Sequence, residues 1–399
     1  MTKSDDKRVP ALRFKGFTDE WEQRKPGDFL FESKIIGHKG DKAKKLTVKL
    51  WGKGVQEKQD ILSGSANTQY YIRKSGQLMY GKLDFLHAAF GIVPPQLNNY
   101  ESTIDSPSFD VKSANSIFLL NLFLRKKFYL YYGERANGSR KAKRIHEKDF
   151  LVMPIKVPEI NEQNKISSLI KIINNQITLQ QRKENQIKLL KKAMLQTLFT
   201  NKNVPQLRFK GFTDNWEQRK LNSFLVEYKK KTKINNQYPV LTSSRQGIFF
   251  QKDYYDGNQI ASKNNIGYNI VPRNYFTYRH MSDDTIFHFN INTLCDYGIV
   301  STLYPVFTTS NQLSSSWLYY YLNYGNDMKK YALLQKQGGS RTYMYFSKLK
   351  NMLGHIPNVK EQDSISKILL KTDNLITLQQ NKTKKIENLK QFLLQNMFI

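Results

Sequence analysis

The chain begins its sequence twice. The block "PALRFKGFTDEWEQRK" occupies residues 10–25 and returns as "PQLRFKGFTDNWEQRK" at residues 205–220. A second block, "EQNKISSLIKIINNQITLQQRKENQIKLLKKAMLQTLF" at 162–199, returns as "EQDSISKILLKTDNLITLQQNKTKKIENLKQFLLQNMF" at 361–398. Because internal repetition constrains architecture before any single motif does, the chain is expected to fold as two related units. The segments between the shared blocks show almost no resemblance, so the units share a frame and differ in content.

The second shared block predicts one long amphipathic helix in each unit. In both copies a position of one helix face recurs every seven residues, which is typical of a coiled-coil seam. Prolines before each block and acidic residues in its first turn favour a helix start there. Since neither seam is stable in water, we expect the helices to pack as an antiparallel pair on the order of 60 Å long. The predicted seam residues, with the two glutamines fixing the register, are Ile166, Ile173, Gln180, Ile187, Leu190 and Met194, and Ile365, Ile368, Leu375, Gln379, Ile386, Leu389 and Leu393.

The variable segments predict mixed structure. Residues 70–93 and 267–280 contain Tyr, Phe, Val and Ile interrupted by Gly, Asn and Pro, which is typical of short strands. Residues 116–132 and 315–335 favour helices that begin at serines. We therefore predict an α+β chain with an internal pseudo-twofold repeat. Its parts are a mixed domain at 1–152, a spacer helix at 153–200, a second mixed domain at 201–353 and a second spacer helix at 354–399.

The charge indicates a polyanionic partner. Lys and Arg number 63 against 33 Asp and Glu, a net charge of +30, and each variable segment with its leader carries +11. So large an excess repels itself unless the working state includes a polyanion, and nucleic acid is the first candidate. Two equally basic units held apart by helices fit two places on one face of a DNA duplex, about one helical turn or a little more apart. Three less specific explanations of the charge stay open: a ribosome-like protein, a membrane-surface protein, or a proteome whose proteins are generally basic.

Motifs for catalysis and metal binding are missing from the sequence. Cys295 is the single cysteine, so neither an internal disulfide nor a CxxC zinc site is expected, and it is predicted to be a small buried hydrophobe. There is no GxxxxGK[ST] loop and no Asp/Asn-Pro-Pro-Tyr/Phe run, and "FDVK" at 109–112 has no suitable acidic partner for a nuclease site. With no apolar run of eighteen residues and no secretory leader, a cytoplasmic protein is expected. We predict no catalytic residue, metal or cofactor in this chain.

DNA contacts are predicted from residue type. Arg or Lys suits guanine and Asn or Gln suits adenine in the major groove, while Lys, Ser and Tyr hold phosphates. Loops that mix these types are the candidates, although each is also typical of a solvated loop. The Gly-Ser-Arg tripeptides at 138–140 and 339–341 are the stronger pair because they occupy matching places, although a structural turn explains them nearly as well. The predicted contacts are Lys42, Lys44, Lys45, Arg73, Lys74, Arg135, Asn137, Ser139, Arg140, Lys141, Lys143 and Arg144, and Arg245, Gln246, Asn274, Tyr278, Arg279, His280, Gln337, Ser340, Arg341 and Tyr343.

This plan resembles the specificity (S) subunit of Type I restriction-modification systems over essentially the whole chain. The resemblance is carried by the leaders at 12–21 and 207–216, the helix starts "MPIKVPEINEQ" (153–163) and "HIPNVKEQ" (355–362), and the Gly-Ser-Arg tripeptides. It also includes "DYGIVSTLYPVF" at 296–307, which is similar to a strand pair often seen in such domains. In the first unit "FGIVPP" (90–95) stands where a fuller version of that motif is expected.

The resemblance implies a subunit without chemistry of its own. Each variable segment would be a target-recognition domain for one half of a bipartite, asymmetric sequence in double-stranded DNA. The helices would hold the spacing and dock two methyltransferase subunits, and restriction/translocase subunits would join them. S-adenosylmethionine, Mg and ATP are then expected on the partner subunits, with adenine methylated after base flipping. Two other interpretations stay open: a basic scaffold that binds nucleic acid without sequence specificity, and the recognition part of a fused restriction enzyme-methylase.

Overall fold

The chain folds as two compact units. A computed structural model describes residues 9–59, 64–135, 143–199, 202–257, 261–336 and 341–399. Unit 1 is Met1–Gln181 with Asn381–Ile399, and unit 2 is Arg182–Gln380. The sequence division gives each long helix a segment of its own. In the structure each helix is instead divided near its middle, so each unit contains the start of one long helix and the end of the other.

Unit 1 consists of short antiparallel strands packed against helices. Its strands form a four-stranded sheet in the order β2-β10-β7-β8, a three-stranded sheet β3-β6-β9, and the ribbons β4-β5 and β1-β11. The strands are β1 (Glu22–Arg24), β2 (Leu30–Ser33), β3 (Ile35–Lys39), β4 (Leu46–Val48), β5 (Val55–Glu57), β6 (Gln69–Ile72), β7 (Leu78–Tyr80), β8 (Phe90–Ile92), β9 (Glu101–Ser102), β10 (Ser108–Val111) and β11 (Ile155–Val157). The helices are α1 (Ser116–Phe123), α2 (Lys126–Glu134), α3 (Glu147–Phe150) and the long α4 (Ile160–Leu198).

Unit 2 is built in the same manner. Its strands form a four-stranded sheet in the order β13-β21-β17-β19 and the ribbons β14-β15, β16-β20, β18-β22 and β12-β23. The strands are β12 (Glu217–Lys220), β13 (Leu225–Glu227), β14 (Leu241–Ser244), β15 (Gly247–Phe250), β16 (Asn269–Pro272), β17 (Phe276–Thr277), β18 (Met281–Ser282), β19 (Asn290–Ile291), β20 (Tyr297–Val300), β21 (Val306–Thr309), β22 (Thr342–Tyr343) and β23 (Leu353–Ile356). The helices are α5 (Gln251–Tyr254), α6 (Ser315–Tyr324), α7 (Asn326–Leu334), α8 (Phe346–Asn351) and the long α9 (Val359–Asn396).

The order of the strands shows which part of the fold repeats. The sheet β13-β21-β17-β19 reproduces the order of β2-β10-β7-β8. In both units a ribbon pairs the strand after the leader with the strand before a long helix, β1 with β11 and β12 with β23. The shared sequence blocks therefore build the same frame twice, and the predicted α+β class is confirmed.

A bidentate ion pair ties each leader to the start of a long helix. Arg13 donates from Nε and Nη2 to the carboxylate of Glu162 at 2.8 and 2.7 Å. Arg208 makes the same two bonds to Glu361, both at 2.8 Å. Each glutamate side chain is only 1% exposed. Because a paired carboxylate that is so deeply buried tolerates little movement, the pair fixes where the leader meets the helix.

The glutamine after each of these glutamates bonds to the residue that precedes the first helix of the variable domain. Gln163 accepts a hydrogen bond from the backbone N–H of Asn115 at 3.0 Å. Gln362 accepts one from the backbone N–H of Ser314 at 2.7 Å. Those two residues immediately precede α1 and α6, so the repeated Glu-Gln dipeptide positions the leader and the first domain helix together.

The helices predicted at 116–132 and 315–335 are each two helices. The backbone leaves the helical region at Arg125, where ψ is 133°, and at Gly325, where ψ is 144°. In the first case Asn115, and not a serine, caps α1: its side chain accepts from the N–H groups of Ile117 and Phe118. The serine at position 116 is the first helical residue.

Each unit has its own apolar core, built around a leader tryptophan. The core of unit 1 contains Trp21, Ile166 near the start of α4 and Phe398 just beyond the end of α9. The core of unit 2 contains Trp216 and, by the same logic, Leu198 at the end of α4 with Ile365 near the start of α9. In each unit the start of one long helix packs with the end of the other, so the predicted antiparallel pairing is confirmed.

Of the predicted seam residues, the set that recurs every seven residues is correct, and the leucines that follow members of this set by three residues are wrong. Leu190, Leu375 and Leu389 are 57, 52 and 50% exposed and so lie outside the seam. The buried or half-buried second position comes four residues after the first, at 170, 177, 184, 191 and 198, and at 369, 376, 383, 390 and 397. Several of these residues are polar, and the neighbouring leucines therefore looked like the better candidates. The other predicted seam residues are buried or half-buried.

The segment "DYGIVSTLYPVF" forms two strands that do not pair with each other. β20 pairs with β16, whereas β21 lies between β13 and β17. "FGIVPP" is also not a shortened copy of it. Phe90–Ile92 forms β8, the edge strand equivalent to β19, and the counterparts of β20 and β21 in unit 1 are β9 and β10.

Candidate nucleic-acid interface

A cleft in unit 2 gathers predicted DNA-contacting residues from separate parts of the sequence. Its cavity volume is about 240 Å³. The hairpin tip after β14 contributes Arg245, and the segment around β18 contributes Arg279 and Asp283. Its lining residues are Thr242, Ser243, Ser244, Arg245, Tyr254, Tyr255, Arg279, Met281, Ser282, Asp283, Ile286, Phe287, His288 and Tyr304. Cationic and aromatic side chains around a polar cleft are suited to contacting the bases and backbone of a nucleic acid.

Arg245 is held in a fork by Asp284. Its Nη1 and Nη2 donate to Oδ2 and Oδ1 of the aspartate at 2.6 and 2.7 Å. The aspartate is held in turn by the Ser282 hydroxyl at 2.8 Å and the backbone N–H of Ile286 at 3.2 Å. The bonds from Arg245, followed by that from Ser282, lower the pKa of Asp284 to about 2. The carboxylate is therefore charged at every physiological pH, and the arginine is oriented before any ligand arrives.

Two more predicted arginines belong to the same surface. Arg341, immediately before β22, donates from Nε to Asp283 at 3.1 Å and is 53% exposed. Arg279 lines the cleft and is exposed, and within the described ranges it makes no hydrogen bond or ion pair. These three arginines form a cluster, the arginine cluster. Arg245 and Arg341 are paired with acids, whereas Arg279 has no acidic partner among the described residues.

Aromatic rings flank the cluster. The His280 ring lies 5.0 Å from that of Tyr345 and 6.1 Å from that of Tyr343. Tyr343 is 36% exposed. Gln246 is exposed at the tip of the β14-β15 hairpin, next to Arg245. These residues leave a partly open, stackable surface beside the cleft, which is a common element of nucleic-acid contacts.

Tyr278 is wrongly predicted as a DNA contact. It is 0% exposed, and its hydroxyl donates to the carbonyl of Met344 at 2.8 Å. Burial raises its pKa far above the ordinary tyrosine value. Asn274 is exposed, but it lies on the turn between β16 and β17 at φ +66° and does not line the cleft.

Arg73 is the second wrong prediction. It is 2% exposed, and its guanidinium donates to the hydroxyls of Ser102 and Ser108 at 2.7 and 2.9 Å and to the Ser33 carbonyl at 2.9 Å. Burial lowers its pKa to about 10. This arginine is a core residue that binds three strands of unit 1 together.

The lysines at 42–45 differ in exposure. Lys42 and Lys44 are exposed in the loop between β3 and β4. Lys45 is only 8% exposed, and its Nζ lies 5.7 Å from the centre of the Tyr70 ring. The prediction for Lys45 is therefore corrected, because its ammonium group faces the protein, while Lys42 and Lys44 stay as predictions.

The other predicted contacts of unit 1 are dispersed. Lys74 is exposed and donates to the Asn99 side chain at 2.7 Å. Arg135, which directly follows α2, stacks on the Tyr131 ring. Lys143 donates to the Glu134 carbonyl, and Arg144 pairs with Asp105 at 3.5 Å. Asn137, Ser139, Arg140 and Lys141, with Gln337 and Ser340 in the other unit, lie outside the described residues.

The sequence search missed the acids of the cleft. Asp283 and Asp284 are adjacent acids inside a strongly basic domain, and that contrast was a usable signal. Tyr254, Tyr255 and Tyr304 also line the cleft but had no distinguishing sequence pattern. Cys295 is half-buried against apolar neighbours, and burial raises the pKa of its thiol.

The described residues offer neither a metal site nor a membrane-spanning helix. No cluster of three or more His, Cys, Asp or Glu side chains is arranged to hold a metal ion there. In the same ranges of the chain, each helix is too short or too polar to cross a membrane.

Comparison with known proteins finds similarity in fold. No family model matches the chain, and no curated protein matches its sequence significantly. The Type-I restriction-modification system S subunit from M. genitalium aligns with a TM-score of 0.57 at 10% identity, covering 98% of this chain and 99% of that one. A chain from a structure of complex assembly and conformational transition in the type I R-M system gives 0.50 at 15% identity, covering 94% and 96%. The likeness extends over nearly the whole of each chain, and the protein therefore has the fold of type I restriction-modification S subunits.

Proposed function

We propose that the chain is the DNA-recognition subunit of a Type I restriction-modification complex. Each unit contacts one half of a bipartite, asymmetric target in double-stranded DNA. The observation that carries the proposal is that one frame, with matching sheets and matching Arg-Glu junctions, is built twice and holds variable segments of different sequence. A frame that is kept while its loops diverge is what two readers of different sequences require.

The net charge and the arginine cleft support DNA as the ligand. A charge of +30 favours a polyanion. The cleft of unit 2 adds what sequence-specific contact needs, namely oriented guanidinium groups beside neutral hydrogen-bonding side chains. A scaffold that binds nucleic acid unspecifically requires only the charge.

Exposed leucines on the long helices support partner subunits. Leu190 in α4 and Leu389 in α9 occupy equivalent repeat positions and are 57 and 50% exposed. Equivalent exposed leucines in the two units suit two copies of the same partner, which we take to be two methyltransferase subunits, with restriction/translocase subunits completing the complex in the cytoplasm. This chain has no catalytic role in the proposal, and S-adenosylmethionine, Mg and ATP belong to the partners.

The test is a domain exchange read out by methylation. The chain is expressed with its methyltransferase subunits, and methyladenine is mapped by long-read sequencing. Replacing residues 205–353 with the corresponding segment of another such protein should change one half of the methylated motif and leave the other half and the spacer intact. Replacing residues 10–152, which include the equivalent leader, is the matched control and should change only the opposite half. A motif that is not bipartite, or that changes in both halves, contradicts the proposal.

A further inference from the structure

Arg245 and Arg279 are placed on the same cleft of unit 2 but in opposite electrostatic situations. Arg245 donates two of its five N–H groups to Asp284, and Asp284 is itself fixed by Ser282 and Ile286. Arg279 is exposed without an ion-pair partner among the residues that the structure describes. Because charge and orientation determine what an arginine contacts on DNA, the two should contact different groups.

The Arg245–Asp284 pair is poorly suited to a phosphate. The pair has no net charge, and the carboxylate repels a phosphate that approaches the guanidinium. The three N–H groups that remain are still good donors to neutral acceptors. Guanine presents two such acceptors, O6 and N7, in the major groove, and arginine is their usual bidentate partner.

The fork also reduces the entropic cost of recognition. A free arginine loses much of its rotamer freedom when it binds a base edge. Arg245 has already lost part of that freedom, because its partner is anchored by a hydroxyl and a backbone N–H. Arg279 keeps its full charge and its mobility, which suits a phosphate contact whose geometry is less demanding.

We infer that Arg245 reads a guanine in the half-site of unit 2, that Asp284 is the residue that positions it, and that Arg279 contacts a backbone phosphate. The inference rests on the proposed function and goes further by assigning a base to a residue. It requires the half-motif that belongs to residues 205–353 to contain at least one G·C pair.

The first experiment compares motifs in cells that contain the chain with its methyltransferase subunits. Arg245→Ala removes every donor that could reach the guanine, so methylation should become permissive at one G·C position of the motif by roughly 5- to 100-fold. Asp284→Asn should relax the same position to a smaller extent. Arg279→Ala is the matched control: it should lower methylation at all sites about equally, and in the purified complex it should reduce the slope of log DNA affinity against log salt by about one.

The second experiment probes the acceptor on the base with the purified complex. A duplex in which that guanine is replaced by 7-deazaguanine keeps its base pairing but lacks N7. The wild-type complex should bind it roughly tenfold more weakly than the natural duplex. The Arg245→Ala complex should show little further loss, because it has no side-chain donor for N7. A purely structural role for Asp284 would lower thermal stability without changing preference at one position.

The outcomes separate the two levels of the argument. If the wild-type protein directs methylation of a bipartite motif and Arg245→Ala leaves every position unchanged, the base assignment is wrong and the proposed function stands. A half-motif of A·T pairs alone also overturns the assignment. If the wild-type protein directs no bipartite motif, the proposed function itself fails.

Discussion

Arg73 and Arg273 occupy the same place in the two units but lie in different environments. Each follows directly on a strand, β6 or β16, and the backbone N–H of each donates to the residue just before the partner strand, Tyr100 or Asp296. Arg73 is 2% exposed, whereas the side chain of Arg273 is 45% exposed. The position in the frame is therefore shared, and the environment is not.

The neighbouring strands explain the difference. In unit 1 the strands beside Arg73 supply the buried serines 102 and 108, whose hydroxyls accept from its guanidinium. In unit 2 the strand register places the buried residues Gly298 and Val306 at the positions of these serines, and neither side chain can accept a hydrogen bond. Arg273 instead pairs with Asp296 at 2.9 Å. The same frame thus accepts either a polar or an apolar filling, provided that the buried groups satisfy one another.

The sharpest test of this comparison is the substitution Arg73→Met beside Arg273→Met. Removing Arg73 leaves several buried oxygens without donors, so unit 1 should lose at least about 3 kcal/mol of unfolding free energy. Arg273 makes an exposed pair, and its loss should cost under about 1 kcal/mol. Hydrogen exchange followed by mass spectrometry measures each unit separately, which matters because a chain of two units need not unfold in one step.

The same pair of variants tests the corrected role of Arg73. DNA affinity of the Arg73→Met complex, measured well below its melting temperature, should be unchanged. A variant of normal stability with weakened DNA binding would show that the arginine leaves the core to contact DNA.

The Arg-Glu junctions should behave alike in both units. Glu162→Gln and Glu361→Gln each remove the charge from a bidentate pair whose carboxylate is 1% exposed. We expect each to cost its own unit about 2–3 kcal/mol. Since the two sites lie in different units, the double variant should show the sum of the two losses. Unequal losses in urea denaturation of the two units would mean that the frame is not energetically equivalent.

The frame was predictable because its signals are local. The repeated leaders and the seven-residue period of α4 and α9 are visible in short stretches of sequence, and two matching apolar faces also predict that the helices pack on each other. The second seam position was not predictable, because Glu184, Lys191 and Lys390 occupy it. Lys191 is tolerated there since Asp373 accepts from it at 2.5 Å, a partner that only the folded arrangement provides.

The candidate site was predictable only in part, for a different reason. Arg245, Arg279 and Arg341 were identified because they lie in loops that are exposed. Arg73 and Tyr278 were predicted to be exposed from their residue type alone. Residue type does not predict burial where the fold supplies buried acceptors, such as the Ser102 hydroxyl for Arg73. Asp283 and Asp284 were not predicted because only residue types that contact DNA directly were considered. These acids instead orient the arginines that would make such contacts.

A further prediction concerns a carboxylate that only unit 2 has. Asp373 accepts from Lys191 and from the Tyr320 hydroxyl, at 2.5 and 2.6 Å. At the repeat-equivalent positions unit 1 has Asn174 and Lys390. Burial lowers the pKa of Lys390. Asp373→Asn should therefore cost unit 2 about 1 kcal/mol, and Asn174→Asp should stabilise unit 1 by a similar or smaller amount.

The pH dependence of the stability of unit 1 tests this role of Lys390, and the direction of the pKa shift fixes its sign. Because the folded pKa of Lys390 is below its unfolded value, the folded state releases its proton first as the pH rises. Between the two pKa values the unfolded state binds more protons, so the stability of unit 1 increases with pH in that window. Asn174→Asp should abolish the increase. An increase that persists in the variant would show that residue 174 does not act on Lys390.

The smallest effect on stability is expected for the exposed leucines. Leu190→Ala and Leu389→Ala remove side chains that are 57 and 50% exposed, so each should change the unfolding free energy by less than about 0.5 kcal/mol. In the proposed complex each should weaken the attachment of one methyltransferase subunit, and the double variant should lose both, as native mass spectrometry can count. A decrease of more than about 2 kcal/mol in the unfolding free energy of the isolated chain would instead mean that these leucines are buried in the seam, as predicted from the sequence. These two variants therefore test whether the leucines repeat because the helices pack on each other or because the protein binds two identical partners.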